Sequence, residues 1–272
     1  MQEEKRRGVF AGITGTPGAG KSTLIGAIGN RLMALDPNLR MAVLAIDPSS
    51  HVSGGSLLGD RTRVRFPVDE DRLFFRSQAS GGELGGMSPA TFQVARLLHY
   101  LFDLVLIETV GIGQNEIEIQ KLADRVYLVL QPFAGDQVQF LKAGIMEIPH
   151  VFILNKCDEK EAARRSFHAL KTSLEFARPG ESDIRIFQTS AVSGIGIDDV
   201  CEDLLAFCAN AGDRESILRP KEEKYFARWV AEEFGRHGSR FLETLGGPAK
   251  ILGPLGGFDL AQEEFSRQIA RA

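Results

Sequence analysis

Short apolar runs alternate with longer amphipathic segments through the first three quarters of the chain. This alternation is typical of repeated βα units around a mainly parallel sheet. The predicted strands are Val9–Thr14, Met41–Asp47, Leu73–Ser77, Leu104–Glu108, Arg125–Gln131, Val151–Asn155 and Ile184–Thr189. The predicted helices begin near Lys21, Ser88, Asn115, Gln137, Glu159 and Gly196. The pattern therefore predicts an α/β fold with a mainly parallel central sheet flanked by helices.

A different pattern begins after Gly212, where the alternation of short apolar runs and amphipathic segments ends. Glu222–Leu245 is predicted to be one long amphipathic helix, because its apolar residues recur about one helical turn apart. These residues are Phe226, Trp229, Val230, Phe234, Phe241 and Leu245. A glycine- and proline-rich break, Gly246–Gly257, precedes a short terminal helix, Leu260–Ile269. We thus expect an α/β domain over residues 1–212 and a helical extension over residues 213–272. The aromatic residues of the extension are expected to form a core or to contact another subunit.

The composition of the chain limits the kinds of partner that we expect it to bind. The chain has 272 residues, 43% hydrophobic content and a formal net charge of −4, which gives no broad basic field for nucleic acid. No apolar run approaches the roughly 20 residues that cross a bilayer. The three cysteines show no CxxC spacing, so neither a disulfide framework nor a zinc ribbon is indicated. We expect a cytoplasmic protein with neither nucleic acid nor a membrane as its main partner.

The strongest chemical motif is the sequence GTPGAGKS, placed directly after a predicted strand and opening a predicted helix. Its glycines allow backbone N–H groups to surround a phosphate, and the helix N-terminus favours an anion. Lys21 is expected to contact the β- and γ-phosphates, and the Ser22 hydroxyl to coordinate Mg²⁺. The predicted phosphate contacts are Gly15, Thr16, Pro17, Gly18, Ala19, Gly20, Lys21, Ser22 and Thr23.

A second motif concerns the base. Asn155, Lys156 and Asp158 follow a strongly apolar strand in the pattern NKxD. A carboxylate at Asp158 can accept from the ring N–H and the exocyclic amine of guanine, whereas adenine would leave it poorly paired. Asn155 is expected to tie this segment to the phosphate loop, with the Lys156 stem along the base. Ser190 and Ala191, after the next strand, are expected to supply a backbone N–H to the guanine carbonyl, so the motifs favour GTP over ATP.

Acidic residues at predicted strand ends form the third group. Asp47 and Glu108 each end a strand, and Asp60 lies in a glycine-rich segment. Because ligands of open α/β sheets collect at the carboxyl ends of the strands, these acids together with Ser22 are candidates to hold Mg²⁺. Gln114 is a candidate for positioning the attacking water. The predicted catalytic set is therefore Lys21, Asp47, Glu108 and Gln114.

With these residues in view, the sequence resembles the MeaB/ArgK/MMAA-type P-loop GTPases. The matching segments are Ala45–Ser50, Ser53–Arg63, Gly81–Gly86, Glu108–Gln114, Ala134–Asp136 and Lys142–Glu147. The resemblance implies a GTP-dependent chaperone that gates cofactor loading and protection of an adenosylcobalamin-dependent acyl-CoA mutase by contacting its cobalamin-binding domain. It also implies Mg²⁺, GTP and GDP as ligands, slow hydrolysis stimulated by the partner, and a homodimer built by the C-terminal extension.

The resemblance further assigns a nucleotide-sensing switch. Asp136 and Lys142 match a loop that responds to nucleotide and partner, and Arg63 matches a residue linked to that loop. Charged residues at these positions can form one ion-pair arrangement with GTP and another with GDP, which is what a switch requires.

Two alternative functions remain open. A nickel-type GTPase metallochaperone usually displays clustered Cys and His, whereas Cys157, Cys201 and Cys208 are dispersed here. A small-molecule or protein kinase, the older interpretation of ArgK-type proteins, needs an acceptor site that the sequence does not show. Nucleotide preference and the presence of a phosphorylated acceptor separate these classes.

Overall fold

The computed structural model of the protein describes residues 8–47, 64, 66–67, 69–79, 89–109, 119–132, 149–181, 184–210, 212, 214–253 and 257–271. The chain divides into two compact units, Met1–Ala211 and Gly212–Ala272. Each unit is described separately.

A parallel sheet forms the first unit. Its strands are β1 (Val9–Gly15), β2 (Met41–Asp47), β3 (Leu73–Ala79), β4 (Leu104–Thr109), β5 (Arg125–Leu130), β6 (Val151–Leu154) and β7 (Arg185–Gln188). They lie in the order β3-β2-β4-β1-β5-β6-β7, and each neighbouring pair is parallel. The predicted fold class is confirmed, and the strand ends differ from the predicted ones by two residues at most.

The described helices of this unit are α1 (Lys21–Leu35), α2 (Pro89–Leu101), α3 (Lys160–Ala177) and α4 (Ile197–Ala209). α1 begins at the predicted residue, and α2, α3 and α4 begin one residue after the predicted positions. Residues 119–122 are helical, but the start predicted near Asn115 lies outside the described residues. The same holds for the helix predicted near Gln137.

The sheet is buried on both faces, as expected for parallel strands covered by helices. On one face, Leu24, Ile28 and Leu32 of α1 join the core formed by the central strands. On the other face, Leu170 and Leu174 of α3 pack with residues of β5 and β6. Every residue of β1 and β4 is buried, so the ends of these strands are held by a rigid core.

Strand register fixes which residues meet at the carboxyl edge. Ile13 of β1 is paired with Glu108 of β4, and Gly15 is paired with Val129 of β5. Since β1 lies between β4 and β5, the segment that follows β1 emerges in the middle of this edge. In open α/β sheets the ligand site lies at this edge.

The second unit is helical, as predicted, but its first segment differs from the prediction. It contains α5 (Arg214–Thr244), α6 (Pro248–Ile251) and α7 (Phe258–Ile269). α5 is not one continuous helix, because Gly235 has φ 60° and ψ −151° and interrupts it. Glycine adopts a positive φ without the steric penalty of a Cβ. The apolar spacing continues across Gly235, so the pattern alone gave no indication of the break.

An aromatic cluster forms the core of this second unit. Phe265 of α7 lies 5.9 Å from Phe226, 6.1 Å from Trp229 and 5.6 Å from Phe234, measured between ring centroids. Phe226 and Phe265 are fully buried. The aromatic residues that the sequence placed at helical spacing are thus packing residues of this unit. Among the described helices of both units, none is long and apolar enough to span a membrane.

Candidate nucleotide-binding site

The phosphate loop, residues 15–22, joins β1 to α1. Gly15 has φ +141°, and a Cβ built on it would lie 2.0 Å from the carbonyl oxygen of Val129. Gly20, directly before α1, has φ +85°. Only glycine fits these two positions without strain, because both require a positive φ and neither has space for a Cβ. The loop can therefore turn tightly at the N-terminus of α1, where backbone N–H groups favour an anion.

Lys21 places its charge on this loop. Its Nζ donates to the carbonyl oxygens of Gly15, at 2.7 Å, and of Thr16, at 3.0 Å. The residue is only 7% exposed. A buried ammonium held at two loop carbonyls is a fixed cation beside the place where the loop would hold a phosphate.

Ser22 and Glu108 are brought together from α1 and β4. The Ser22 hydroxyl donates to Oε1 of Glu108 at 2.8 Å, and Glu108 is 1% exposed. Behind them, the Thr109 hydroxyl donates to that of Thr14 at 3.0 Å, which ties the ends of β4 and β1. A hydroxyl and a carboxylate in contact are hard oxygen ligands of the kind that Mg²⁺ prefers. These residues therefore fit the predicted metal.

The backbone of Asp47 ends β2, next to β4, where Ala45 is paired with Glu108. The structure describes the backbone of Asp47 but not its side chain. Five further positions that the sequence assigned to metal binding, water positioning and switching lie outside the described residues: Asp60, Arg63, Gln114, Asp136 and Lys142. These assignments stay predictions.

Asn155 joins the base loop, residues 155–158, to the phosphate loop. Its Nδ2 donates to the carbonyl oxygen of Ala19 at 2.8 Å. Its Oδ1 accepts from the hydroxyl of Thr189 at 3.1 Å and from the backbone N–H of Ala191 at 3.2 Å. The bond to Ala19 is the tie that the sequence predicted. Because Asn155 is 1% exposed, one buried amide connects three segments of the site.

Asp158 lies at the exposed end of the base loop. Its Oδ1 accepts from the hydroxyl of Ser190 at 2.6 Å and from that of Ser193 at 3.1 Å. The bond from Ser190 holds the pKa of Asp158 below its ordinary value, with a smaller contribution from Ser193. The carboxylate is thus kept ionised, the state that accepts hydrogen bonds from a base.

Lys156 and Cys157 fix the backbone of the base loop. Lys156 is the only non-glycine residue with a positive φ, 64°, in the described part of the chain, and its Nζ donates to Oε1 of Gln131 at 2.9 Å. The Cys157 thiol donates to the carbonyl oxygen of Leu154 at 3.0 Å, and burial raises its pKa. Cys157 is therefore a packing residue of this loop and is poorly suited to act as a metal ligand.

Four contacts were missed by the analysis of the sequence: those of Thr109, Gln131, Thr189 and Ser193. Thr189 and Ser193 flank the predicted Ser190 and Ala191, and their proximity was the one available indication. The contact of Gln131 depends on the parallel pairing of β5 with β6, and that of Thr109 on the pairing of β1 with β4. Among the residues that the structure describes, no group of three or more His, Cys, Asp or Glu is arranged to hold a metal ion.

Comparison with known proteins agrees with this geometry. A family model described as methylmalonyl Co-A mutase-associated GTPase MeaB matches residues 1–238. A protein of Pyrococcus horikoshii that is named a GTPase is 40% identical over 200 residues, which are 72% of this chain and 62% of the relative. GTPase ArgK of Escherichia coli is 34% identical over 229 residues, 82% of this chain and 69% of the relative.

Solved structures are similar in fold. A crystal structure named LAO/AO transport system kinase has a TM-score of 0.56 and 26% identity, covering 96% of this chain and 82% of that one. HypB from Helicobacter pylori, solved in complex with nickel, has a TM-score of 0.55 and 17% identity, covering 75% and 89%. The chain spans 62% of the length of the Pyrococcus horikoshii relative and 51% of the length of a second relative, from Pyrococcus abyssi.

Proposed function

The chain belongs to the MeaB family of methylmalonyl-CoA mutase-associated GTPases, and from that premise we propose that it binds and slowly hydrolyses GTP. We further propose that its nucleotide state controls an adenosylcobalamin-dependent acyl-CoA mutase, by gating cofactor loading and protecting the mutase. The observation that carries the nucleotide part is the bond from Asn155 Nδ2 to Ala19 O. This bond holds a base loop with an ionised aspartate against a phosphate loop, so one ligand can span both.

The chemistry follows from the described side chains. Lys21 and the loop N–H groups bind the phosphates, while Ser22 and Glu108, with Asp47, would hold Mg²⁺, which when bound neutralises phosphate charge. Asp158 pairs with guanine and the Lys156 stem lies along the base. The backbone N–H of Ala191, which donates to Asn155 in this structure, turns to the guanine carbonyl when the base is bound. No arginine is clearly placed in the sequence as a cis finger, so intrinsic hydrolysis is slow and acceleration comes from the partner or from rearranged switches.

Nucleotide binding is tested by calorimetry with GDP, GTP, ADP and ATP in the presence of Mg²⁺. We expect tight binding of both guanine nucleotides and weak binding of both adenine nucleotides. Asp158→Asn should shift the preference from guanine to xanthine. An amide donates where the carboxylate accepts, and so it suits the extra carbonyl of xanthine better than the amine of guanine. Equal affinity for GDP and ADP in the unsubstituted protein would refute the guanine assignment.

Hydrolysis is tested by phosphate release. Glu108→Ala and Asp47→Ala are expected to reduce the rate of GTP hydrolysis more than the affinity for GDP, because both positions lie at the phosphate end of the sheet edge. A variant that hydrolyses GTP at the unsubstituted rate would remove its residue from the catalytic set.

Coupling to the mutase is tested with the GTP hydrolysis rate in the presence and absence of the partner's cobalamin-binding domain. Asp136→Ala and Lys142→Ala are expected to keep the intrinsic rate and to lose stimulation, and Arg63→Ala tests the linked position. Full stimulation in all three variants would show that these residues do not couple the proteins.

Homodimerisation through residues 213–272 is a further part of the proposal, and sedimentation of the full chain with GDP and with a GTP analogue tests it.

The kinase and nickel alternatives receive less support. The described residues contain no cluster of metal-ligating side chains apart from the oxygen ligands beside the phosphate loop. The similarity to HypB concerns the fold alone. Incubation with GTP and candidate acceptors, followed by phosphate analysis, distinguishes hydrolysis from kinase activity.

A further inference from the structure

Ser193 lies in the turn between β7 and α4, and its hydroxyl and its backbone N–H both bond to residues predicted to bind the base. Its hydroxyl donates to Oδ1 of Asp158 at 3.1 Å. Its backbone N–H donates to the hydroxyl oxygen of Ser190 at 3.1 Å. Neither the sequence motif nor the family description assigns Ser193 a role.

The second contact orients a neighbouring hydroxyl. Because an ionised carboxylate can only accept, the Ser190 hydroxyl donates to Oδ1 of Asp158 at 2.6 Å, while its oxygen accepts from the N–H of Ser193. Three hydrogen bonds therefore link Ser193, Ser190 and Asp158 in a closed ring. Ser193 contributes two of the three donors in this ring.

The turn that carries Ser193 is held by its own backbone. The N–H of Ser190 donates to the carbonyl oxygen of Ile195, and the N–H of Gly194 donates to that of Ser190, both at 2.9 Å. Gly194 has φ +79°, which glycine adopts without a steric penalty. The backbone that carries Ser193 is thus held in place without a ligand.

We propose that Ser193 is a positioning residue that fixes the Asp158 carboxylate in the orientation needed to pair with two N–H groups of guanine. This inference rests on the proposed binding of guanine nucleotides. Both hydroxyls bond to one carboxylate oxygen, Oδ1. Each oxygen of an ionised carboxylate accepts through about two lone pairs, so Oδ2 is left to face the guanine edge with its ring N–H and exocyclic amine.

The consequence is a specific effect on base selection. A carboxylate held at one oxygen by two donors cannot rotate freely, so it can meet both guanine donors at once. Without the Ser193 hydroxyl the Asp158 carboxylate rotates more freely. This weakens the binding of a base that donates two N–H groups to the carboxylate more than the binding of a base that donates one. Hypoxanthine has the ring N–H but lacks the exocyclic amine, so inosine diphosphate measures the one-point contact.

The test compares Ser193→Val with Ser193→Thr, two variants of nearly equal shape that differ in the hydroxyl. GDP, inosine diphosphate and ADP are titrated by calorimetry into each protein with Mg²⁺. With Ser193→Val we expect the GDP affinity to fall about 3- to 10-fold, which corresponds to the net contribution of one ordinary hydrogen bond. The affinity for inosine diphosphate should fall less than the affinity for GDP, so the ratio of the two affinities decreases. Ser193→Thr should restore that ratio.

Val192→Ala is the control for disturbance of the turn, since Val192 is 87% exposed and adjacent to Ser193. It should leave the ratio of GDP to inosine diphosphate affinity unchanged. An equal loss of both affinities in Ser193→Val, or an unchanged GDP affinity, would overturn the positioning role. If the unsubstituted protein binds ADP as tightly as GDP, the proposed function fails instead, which separates the two outcomes.

Discussion

The phosphate side and the base side of the candidate site are built from different chemistry. The phosphate side depends on backbone conformation, with Gly15 and Gly20 at positive φ and one buried cation, Lys21. The base side depends on side-chain hydrogen bonds, above all those of Asp158 to Ser190 and Ser193. Backbone N–H groups and an ammonium recognise any phosphate chain, whereas a carboxylate held at a fixed angle selects one base. We infer that affinity is set mainly by the phosphate side and selectivity mainly by the base side.

Lys21→Ala should give the largest effect, and it should lower nucleotide affinity without changing base selectivity. Removal of the ammonium is expected to lower GTP affinity on the order of 100-fold, because a charged donor to the phosphates is lost. The ratio of GTP to ATP affinity should change little. Calorimetry with GTP and with ATP measures the two affinities and their ratio. Lys171→Ala, on the exposed face of α3, is the control. A large change in the ratio would contradict the division of roles.

Asn155→Ala should weaken both sides together, because Asn155 is the one described side chain that bonds to both. Its removal leaves the buried carbonyl of Ala19 and the hydroxyl of Thr189 without this partner. We expect GDP affinity to fall about 10-fold and the free energy of unfolding to fall by about 2 to 3 kcal/mol. Titration with GDP and chemical denaturation measure the two losses.

Asn210→Ala, at the exposed C-terminal end of α4, is the matched control for Asn155→Ala and should change neither quantity. If Asn155→Ala lowered stability without altering GDP affinity, the amide would be a packing element only.

Two glycine substitutions should give smaller effects and separate conformation from contact. Both Gly18 and Gly20 have a positive φ, at +81° and +85°. A Cβ on Gly18 meets nothing within 4 Å, while one on Gly20 would lie 2.8 Å from Nδ2 of Asn155. Gly18→Ala should therefore add only backbone strain of about 1 to 2 kcal/mol. Gly20→Ala should also displace Asn155 and lower GDP affinity further, and equal affinities in the two variants would rule this out.

A change of pH near neutrality should have the smallest effect on base selectivity. Asp158 must be ionised to accept from guanine, and the hydroxyl of Ser190 lowers its pKa below the ordinary value of 3.8. The ionised form is therefore present above that lowered pKa, and guanine preference is lost only as the pH falls through it. We expect the ratio of GDP to ADP affinity to stay constant between about pH 6 and 8. A ratio that fell within this range would show that another group controls base selection.

The sequence alone determined most of the first unit. Strands β1, β2 and β4 are nearly continuous apolar runs, because parallel strands covered on both faces have no solvent side. The phosphate loop and the base loop were also recognisable, since their residue types are demanded by local backbone geometry and by the ligand. The MeaB-type resemblance drew on other local segments, among them Ser53–Arg63 and Glu108–Gln114, and the family match confirms it.

Tertiary structure alone decided several other contacts between distant segments. The bond from Lys156 to Gln131 depends on strand order, which places segments far apart in sequence at one edge of the sheet, whereas the tie from Asn155 to the phosphate loop was predicted from the sequence. Ser193 gained its contact with Asp158 because parallel pairing of β6 with β7 aligns the loops that follow them. The break at Gly235 was hidden because apolar periodicity reports which side of a segment is buried and not whether its backbone is continuous. Residue type and spacing thus fixed the local elements, and the pairing of the strands decided which of their side chains meet.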